Sequence, residues 1–165
     1  MKKILNKLAV GLLVLTSSNI LAQLKKDVKS LNSPYKIIWK QPIIDKKSTT
    51  EQRTILRFVG ANYPIELDGL PIYVSKINVQ NDEDFSVRII EPVFEKMSES
   101  ESMLIKNNPN ILNKIILKTE IYTIRKKNYG AVSFIPIIKN SLTGEFERIV
   151  GFDLEINRFK AGKSS

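Results

Sequence analysis

Acidic side chains are the groups in this chain whose type and spacing most directly suggest chemistry. Asp82, Glu83 and Asp84 are consecutive and could offer oxygen ligands to Ca²⁺, which takes about six to eight of them. No loop of recognisable calcium spacing surrounds them, so a solvated turn is the simpler interpretation. Glu99 and Glu101 could form the carboxylate pair of a glycoside hydrolase, but they lie in a polar segment and are expected to be exposed.

Aromatic and glycine-rich stretches offer a second set of candidates. Trp39, Tyr63 and Tyr73 could stack on a sugar, although aromatic residues at strand spacing usually belong to a core. The segment 60–69 lacks the Gly-Lys-Ser/Thr ending of a phosphate loop and a helix after it. A Ser–Lys dyad is compatible with the composition, but no motif positions one.

The chain contains neither histidine nor cysteine. That composition excludes Ser-His-Asp and Cys-His catalysis, zinc fingers and disulfides within these residues. We therefore predict no catalytic, cofactor-binding or metal-binding residue, and no cofactor. The 165 residues suffice for one domain with a modest core, which must hold the fold without cross-links.

The N-terminus has the pattern of an export signal. Lys2, Lys3 and Lys7 precede an apolar run over residues 8–16, and Ile20-Leu21-Ala22 offers a cleavage site. We predict a signal peptide over 1–22 and a chain exported through the inner membrane, to the periplasm or the outer-membrane surface. The run is too short to span a bilayer, and no second span follows it. The formal net charge of +9 comes from scattered lysines, so we predict no nucleic-acid partner.

Alternating polarity organises the remainder into strands. The clearest case is the stretch 129–156: residues 146–156 alternate between apolar and polar positions, and residues 131–138 read as a central strand covered on both faces. Gly144 closes a tight hairpin loop between them, and Pro136 should sit at a bulge or face away from its partner strand.

Further strands are predicted over 35–40, 54–59, 72–79, 85–91 and 113–126. Pro42 and Pro92 should end two of them, and a bulge near Ser75-Lys76 would explain a switch of apolar parity. Residues 93–110 read as a loop with marginal helix. The predicted fold is mainly β: an antiparallel β-sandwich of about seven short strands with at most one short helix, whose last three strands form a meander.

This reading sets the domain boundaries. Residues 23–33 form a polar lead-in, 34–158 the β-sandwich domain, and 159–165 a tail or the start of a linker.

Three stretches carry a resemblance to a known family. They are Ile37-Ile38-Trp39; residues 58–63 (FVGANY) with 70–73 (LPIY); and residues 129–137 (YGAVSFIPI) with Thr143-Gly144. In this order they are similar to the N-terminal region of PorU, the gingipain-type cysteine peptidase that is the sortase of the Bacteroidetes type IX secretion system. The VSF-P strand and the Thr-Gly loop are the most specific parts.

The resemblance implies an accessory domain without catalysis of its own. The Cys and His of that family lie in a downstream peptidase domain, and no residue of this chain matches either. The implied partners are a peptidase domain, on the same or a neighbouring polypeptide, and outer-membrane components of the type IX secretion system. Full-length relatives remove C-terminal sorting signals from secreted cargo.

Two alternatives remain open. One is an independent exported binding module, adhesin-like or glycan-binding, with an exposed aromatic cluster around Trp39 or Tyr63. The other is a periplasmic enzyme built on Asp/Glu or Ser/Lys chemistry, which requires a cleft with converging polar groups.

Overall fold

The computed structural model describes residues 34–45 and 53–161. The predicted signal peptide and lead-in lie outside these ranges, as do residues 46–52 and 162–165. The described elements, in chain order, are β1 (Tyr35–Lys36), β2 (Trp39–Asp45), β3 (Arg53–Phe58), a 3₁₀ turn (Ile65–Leu67), β4 (Tyr73–Asn78), β5 (Glu83–Lys96), α1 (Glu99–Ile105), β6 (Lys118–Ile124), β7 (Lys127–Phe134), β8 (Ile137–Lys139) and β9 (Phe146–Lys160).

The strands form three antiparallel groups. In the first sheet β9 lies between β5 and the short strands β1 and β8, and in the second β7 lies between β4 and β6. Strands β2 and β3 form a separate two-stranded ribbon. The predicted fold class, an antiparallel β-sandwich with one short helix, is confirmed. Two strands are longer than predicted, because β5 and β9 pair with each other over 14 and 15 residues.

Aromatic rings join the two larger sheets. Phe152 of β9 meets Tyr73 of β4 and Phe134 of β7 edge to face, at centroid separations of 5.2 and 5.4 Å. Phe152 is fully buried, and aromatic rings prefer this geometry. These contacts place the middle of the core between β9 and the β4–β7 pair.

Pro136 marks a point where the chain changes sheets. The predicted single strand over 131–138 is instead two strands, with β7 in one sheet and β8 in the other. Pro136 lies buried between them and accepts a hydrogen bond from the Ile149 amide at 2.9 Å. The predicted three-strand meander is therefore wrong, since β7 pairs with β4 and β6 whereas β8 pairs with β9.

Two other prolines lie inside strands that they were expected to end. Pro42 lies in β2, where the register shifts between Lys40 and Ile43, and Pro92 lies in β5, where it shifts between Ile90 and Val93. A bulge leaves one residue out of the hydrogen-bonded pairing between the strands. Proline has no amide proton, so at such a position it costs no hydrogen bond. Both strands continue past their proline for this reason.

The parity switch in β4 has a different cause from the predicted bulge. Strand β4 pairs with β7 in unbroken register from Tyr73 to Asn78. Tyr73 and Ile77 face the core, whereas Val74 faces a groove on the other side of the sheet. The strand is apolar on both parities because one face packs on the core and the other lines the groove, where Val74 is 41% exposed.

The hairpin loops show how the sequence closes the turns. Gly144 has the predicted positive φ of 73°, and the Asn140 side chain accepts hydrogen bonds from the amides of Leu142 and Thr143. Between β6 and β7, by contrast, the two-residue turn consists of Arg125 and Lys126, with φ values of 51° and 64°. Residues other than glycine, asparagine and aspartate rarely adopt this left-handed backbone conformation, so the second turn is strained.

Candidate functional site

The acidic turn makes no metal site. Carboxylate oxygens of Glu83 and Asp84 accept hydrogen bonds from the amides of Gln80 and Phe85, at 3.0 and 2.7 Å. Within residues 34–45 and 53–161, no group of three or more potential metal-ligating side chains comes together. The turn uses its carboxylates to satisfy local backbone amides.

Glu101 is not an exposed partner of Glu99 but part of a half-buried network. Its carboxylate receives the Arg148 guanidinium at 2.7 Å, and both side chains are 15% exposed. It also closes a capping box at the start of α1, accepting from the Ser98 amide at 3.1 Å while Ser98 Oγ accepts from the Glu101 amide. Burial alone raises the pKa of Glu101, but the hydrogen bonds from Ser98 and the charge of Arg148 outweigh it and lower the pKa.

Arg148 explains the one polar residue on the apolar parity of β9. Its guanidinium lies 5.4 Å from the Trp39 ring centroid and also approaches Glu95 at 3.4 Å. Trp39 in turn donates from Nε1 to the Ile149 carbonyl at 2.8 Å and packs edge to face on Phe58. These contacts hold α1 and β2 against β9. The polar groups of Glu101, Arg148 and Trp39 form hydrogen bonds or ion pairs within the protein.

The other proposed sugar-stacking rings are also structural. Tyr73 lies in the aromatic core, where burial raises its pKa and the nearby Tyr35 adds to the effect. The Tyr63 hydroxyl donates to the Leu56 carbonyl at 3.1 Å, and burial raises its pKa although Arg57 lowers it. Of the two rings around which an exposed cluster was predicted, Trp39 packs against Phe58, whereas Tyr63 is 39% exposed.

An open groove is present on the described surface. It has a volume of about 440 Å³ and lies on the outer face of the β4–β7–β6 sheet, the face opposite the core. Small side chains of Ala131 and Ser133 on β7 form its floor. Its walls are apolar and charged apart from Asn110: Pro64, Glu66, Leu67, Ile72, Val74, Asn110, Leu112, Lys114, Ile116, Lys118, Glu120, Phe134, Ile135 and Ile137.

The groove offers contact surface and no activated nucleophile. Ser133 lies opposite Lys118 in the ladder, which is the nearest approach to the Ser–Lys arrangement that composition allowed. Lys118 is exposed, whereas a lysine that serves as a base must be desolvated to lose its proton. Val74, Leu112 and Ile116 are exposed aliphatic side chains along the groove, so its chemistry is that of a binding surface.

Sequence reasoning did not single out the tyrosine pair on the same outer face. Tyr122 and Tyr129 stack across β6 and β7 with centroids 5.8 Å apart, and Lys76 Nζ lies 3.5 Å from the Tyr129 ring centroid. Their positions on opposite strands of a predicted hairpin were the available signal. Tyr122 is 36% exposed, so part of this pair remains accessible to solvent.

The three stretches that carry the family resemblance converge on the core. Asn62 bridges to Ile72, Tyr73 pairs with Phe134, and Ile37 packs in the same cluster as Phe134. These residues therefore define the architecture of the domain and not a reactive site.

Comparisons with solved structures gave matches that include two structures from Porphyromonas gingivalis. No protein-family model and no curated protein matches the chain. It is similar to the complex of the pro- and mature domains of RgpB from Porphyromonas gingivalis, at 14% identity and a TM-score of 0.47, over 78% of each chain. It is also similar to a structure of gingipain K from the same organism that addresses zymogenic latency, at 12% identity and a TM-score of 0.46, over 72% of this chain and 79% of that one.

Among the described residues, no helix has the length and hydrophobicity to cross a membrane.

Proposed function

We propose that this chain is a non-catalytic β domain that binds a gingipain-type cysteine peptidase domain. Its more specific role would be that of the N-terminal accessory domain of a PorU-like sortase, exported and working with outer-membrane components of the type IX secretion system. The observation that carries the proposal is the open groove on the outer face of the β4–β7–β6 sheet. The sequence resemblance over residues 37–39, 58–63 with 70–73, and 129–137 with Thr143-Gly144 supports the choice of partner.

The groove is suited to a protein partner. Its aliphatic side chains Val74, Leu112 and Ile116 are exposed, and covering them in a complex would remove apolar surface from water. Charged side chains surround them, and none of the four, Glu66, Lys114, Lys118 and Glu120, forms an ion pair with another described residue. An apolar centre with a charged rim is the usual composition of a protein–protein interface.

Binding of a purified peptidase domain tests the proposal. The probe is a purified gingipain-type peptidase domain, titrated against the immobilised protein by biolayer interferometry. We expect saturable binding that the double substitution Val74→Thr and Leu112→Ser weakens by about tenfold or more, since each removes exposed apolar contact. The matched control is Leu142→Ser, because Leu142 is 95% exposed in the β8–β9 loop away from the groove lining.

Two results would contradict the proposal. One is the absence of binding to the peptidase domain, or equal affinity of the groove variant and the wild type. The other is peptide cleavage by the purified chain alone. Saturable binding to a glycan panel without binding to the peptidase domain would instead favour an independent glycan-binding module.

A further inference from the structure

The segment from Ile116 to Tyr122 has nearly the same chemical pattern in both directions. It reads Ile-Leu-Lys-Thr-Glu-Ile-Tyr: two apolar residues, a charge, the central Thr119, the opposite charge and two apolar residues. In an antiparallel pair of identical strands, each residue faces the one at the mirrored position. Such a sequence is therefore complementary to a second copy of itself.

Residues 118–122 of this segment lie in β6, and Ile116 and Leu117 precede that strand. The structure leaves β6 available for pairing. Strand β6 lies at the edge of its sheet and, among the described strands, pairs with β7 alone. All seven residues of β6 are exposed. An edge strand with exposed apolar side chains on both faces presents unpaired amide and carbonyl groups to another strand.

We propose that β6 pairs antiparallel with β6 of a second copy of this chain, with Thr119 opposite Thr119. The two three-stranded sheets would then form one six-stranded sheet around a two-fold axis. This interface shares Ile116, Lys118 and Glu120 with the groove, so pairing would cover part of the surface proposed for the peptidase domain. The inference itself does not depend on that proposed function.

Charge complementarity fixes the register. Lys118 and Glu120 lie on the same, outer face of the sheet, and neither forms an ion pair with another described residue. With Thr119 at the axis, Lys118 of each copy faces Glu120 of the other, which gives two ion pairs. An edge lysine ordinarily discourages strand pairing, but here each lysine would meet a carboxylate.

The same register covers the exposed apolar side chains. Ile116 and Tyr122, which are 46% and 36% exposed, would face each other on the outer side. Ile121, which is 42% exposed, would face Leu117 on the inner side, where Leu117 already packs against the core. Cross-strand pairs of this kind are the unit of sheet stabilisation.

Sedimentation velocity with charge-reversal variants tests the interface. Because a single pair of edge strands buries a small interface, the purified protein is examined at concentrations up to about 0.5 mM. We expect the mass to rise with concentration toward that of a dimer. Lys118→Glu and Glu120→Lys should each weaken association by about tenfold or more, because each creates like-charge pairs in both copies. Mixing the two variants should restore association, because the two acidic side chains of one variant then face the two lysines of the other.

Lys114→Glu is the matched control. Lys114 also lines the groove but lies outside the self-complementary segment, so the substitution should leave association unchanged. Circular dichroism establishes that the variants fold, as expected for substitutions at exposed positions. A wild type that stays monomeric throughout, charge variants that associate like the wild type, or a mixture that does not associate would each overturn the proposal. None of these results changes the peptidase-binding assay, which uses Val74 and Leu112.

Discussion

Gly130 of β7 offers a sharp test of how the core is packed. A Cβ atom at this position would lie 2.5 and 2.7 Å from two ring carbons of Phe85 and 2.9 Å from a methyl group of Val79. Both neighbours are buried, so the ring cannot swing into solvent to make room. The substitution Gly130→Ala therefore forces a core ring or the β7 backbone to move.

The expected cost follows from this overlap. Inserting a methyl group into a well-packed core costs about 1–3 kcal/mol, and we expect Gly130→Ala to lower the free energy of unfolding by about 2 kcal/mol. For a domain of this size that corresponds to a fall in Tm of about 5–10 °C. Urea denaturation followed by circular dichroism measures the change. Ser133→Ala, on the same strand but facing the groove, is the control and should change stability by less than about 0.5 kcal/mol.

A double-mutant cycle identifies the contact responsible. Phe85→Leu removes the ring atoms that would collide, so the double variant should be more stable, by about 1 kcal/mol or more, than the sum of the single effects predicts. Additive effects, or a Gly130→Ala variant as stable as the wild type, would show that Phe85 does not pack over Gly130 as described.

Three further predictions concern the turns and the half-buried network. Replacing Arg125-Lys126 with Asn-Gly should stabilise the protein by about 1 kcal/mol, because both positions have positive φ; an unchanged urea midpoint would contradict the strain. Arg148→Met should destabilise by about 2 kcal/mol at neutral pH, since it leaves the Glu101 carboxylate without its cation. Because the pKa of Glu101 is lowered in the folded protein, its ionised carboxylate stabilises the fold above the unfolded pKa of about 4.3. This stabilisation is lost as the pH falls through the folded pKa, so the difference in free energy of unfolding between Arg148→Met and the wild type should shrink in acid. A difference that stays constant across pH would refute this linkage. Trp39→Phe removes the donor to the Ile149 carbonyl and should cost about 1 kcal/mol in urea denaturation, whereas no loss would show that this hydrogen bond contributes nothing net.

The sequence predicts local structure well where one face of a strand is exposed to solvent and the other is buried. The loop closed by Gly144 and the inward placement of Phe152, Leu154 and Ile156 in β9 follow directly from residue types and period-two spacing. The capping box formed by Ser98 and Glu101 was also readable as a Ser-x-x-Glu motif, although the intervening serines made the helix look marginal.

The pairing of strands that are distant in sequence could not be predicted from residue types. Pro136 was recognised as an interruption, but nothing local states that the strands on its two sides belong to different sheets. The ion pair between Arg148 and Glu101 joins residues 47 positions apart. Nothing near Glu101 in the sequence indicates this partner, so the sequence predicts an exposed carboxylate. The groove depends in the same way on which strands adjoin, and only the fold places Val74 beside Ser133.

The pairing of β1 with β9 has a consequence for how this protein is made. Tyr35 is opposite Phe152, and Trp39 bonds to Ile149 across a separation of 110 residues. Strand β1 therefore has no place to dock until β9, more than 100 residues later, has been synthesised. Folding dominated by such distant partners is slow, so β1 stays without its partner strand until β9 follows.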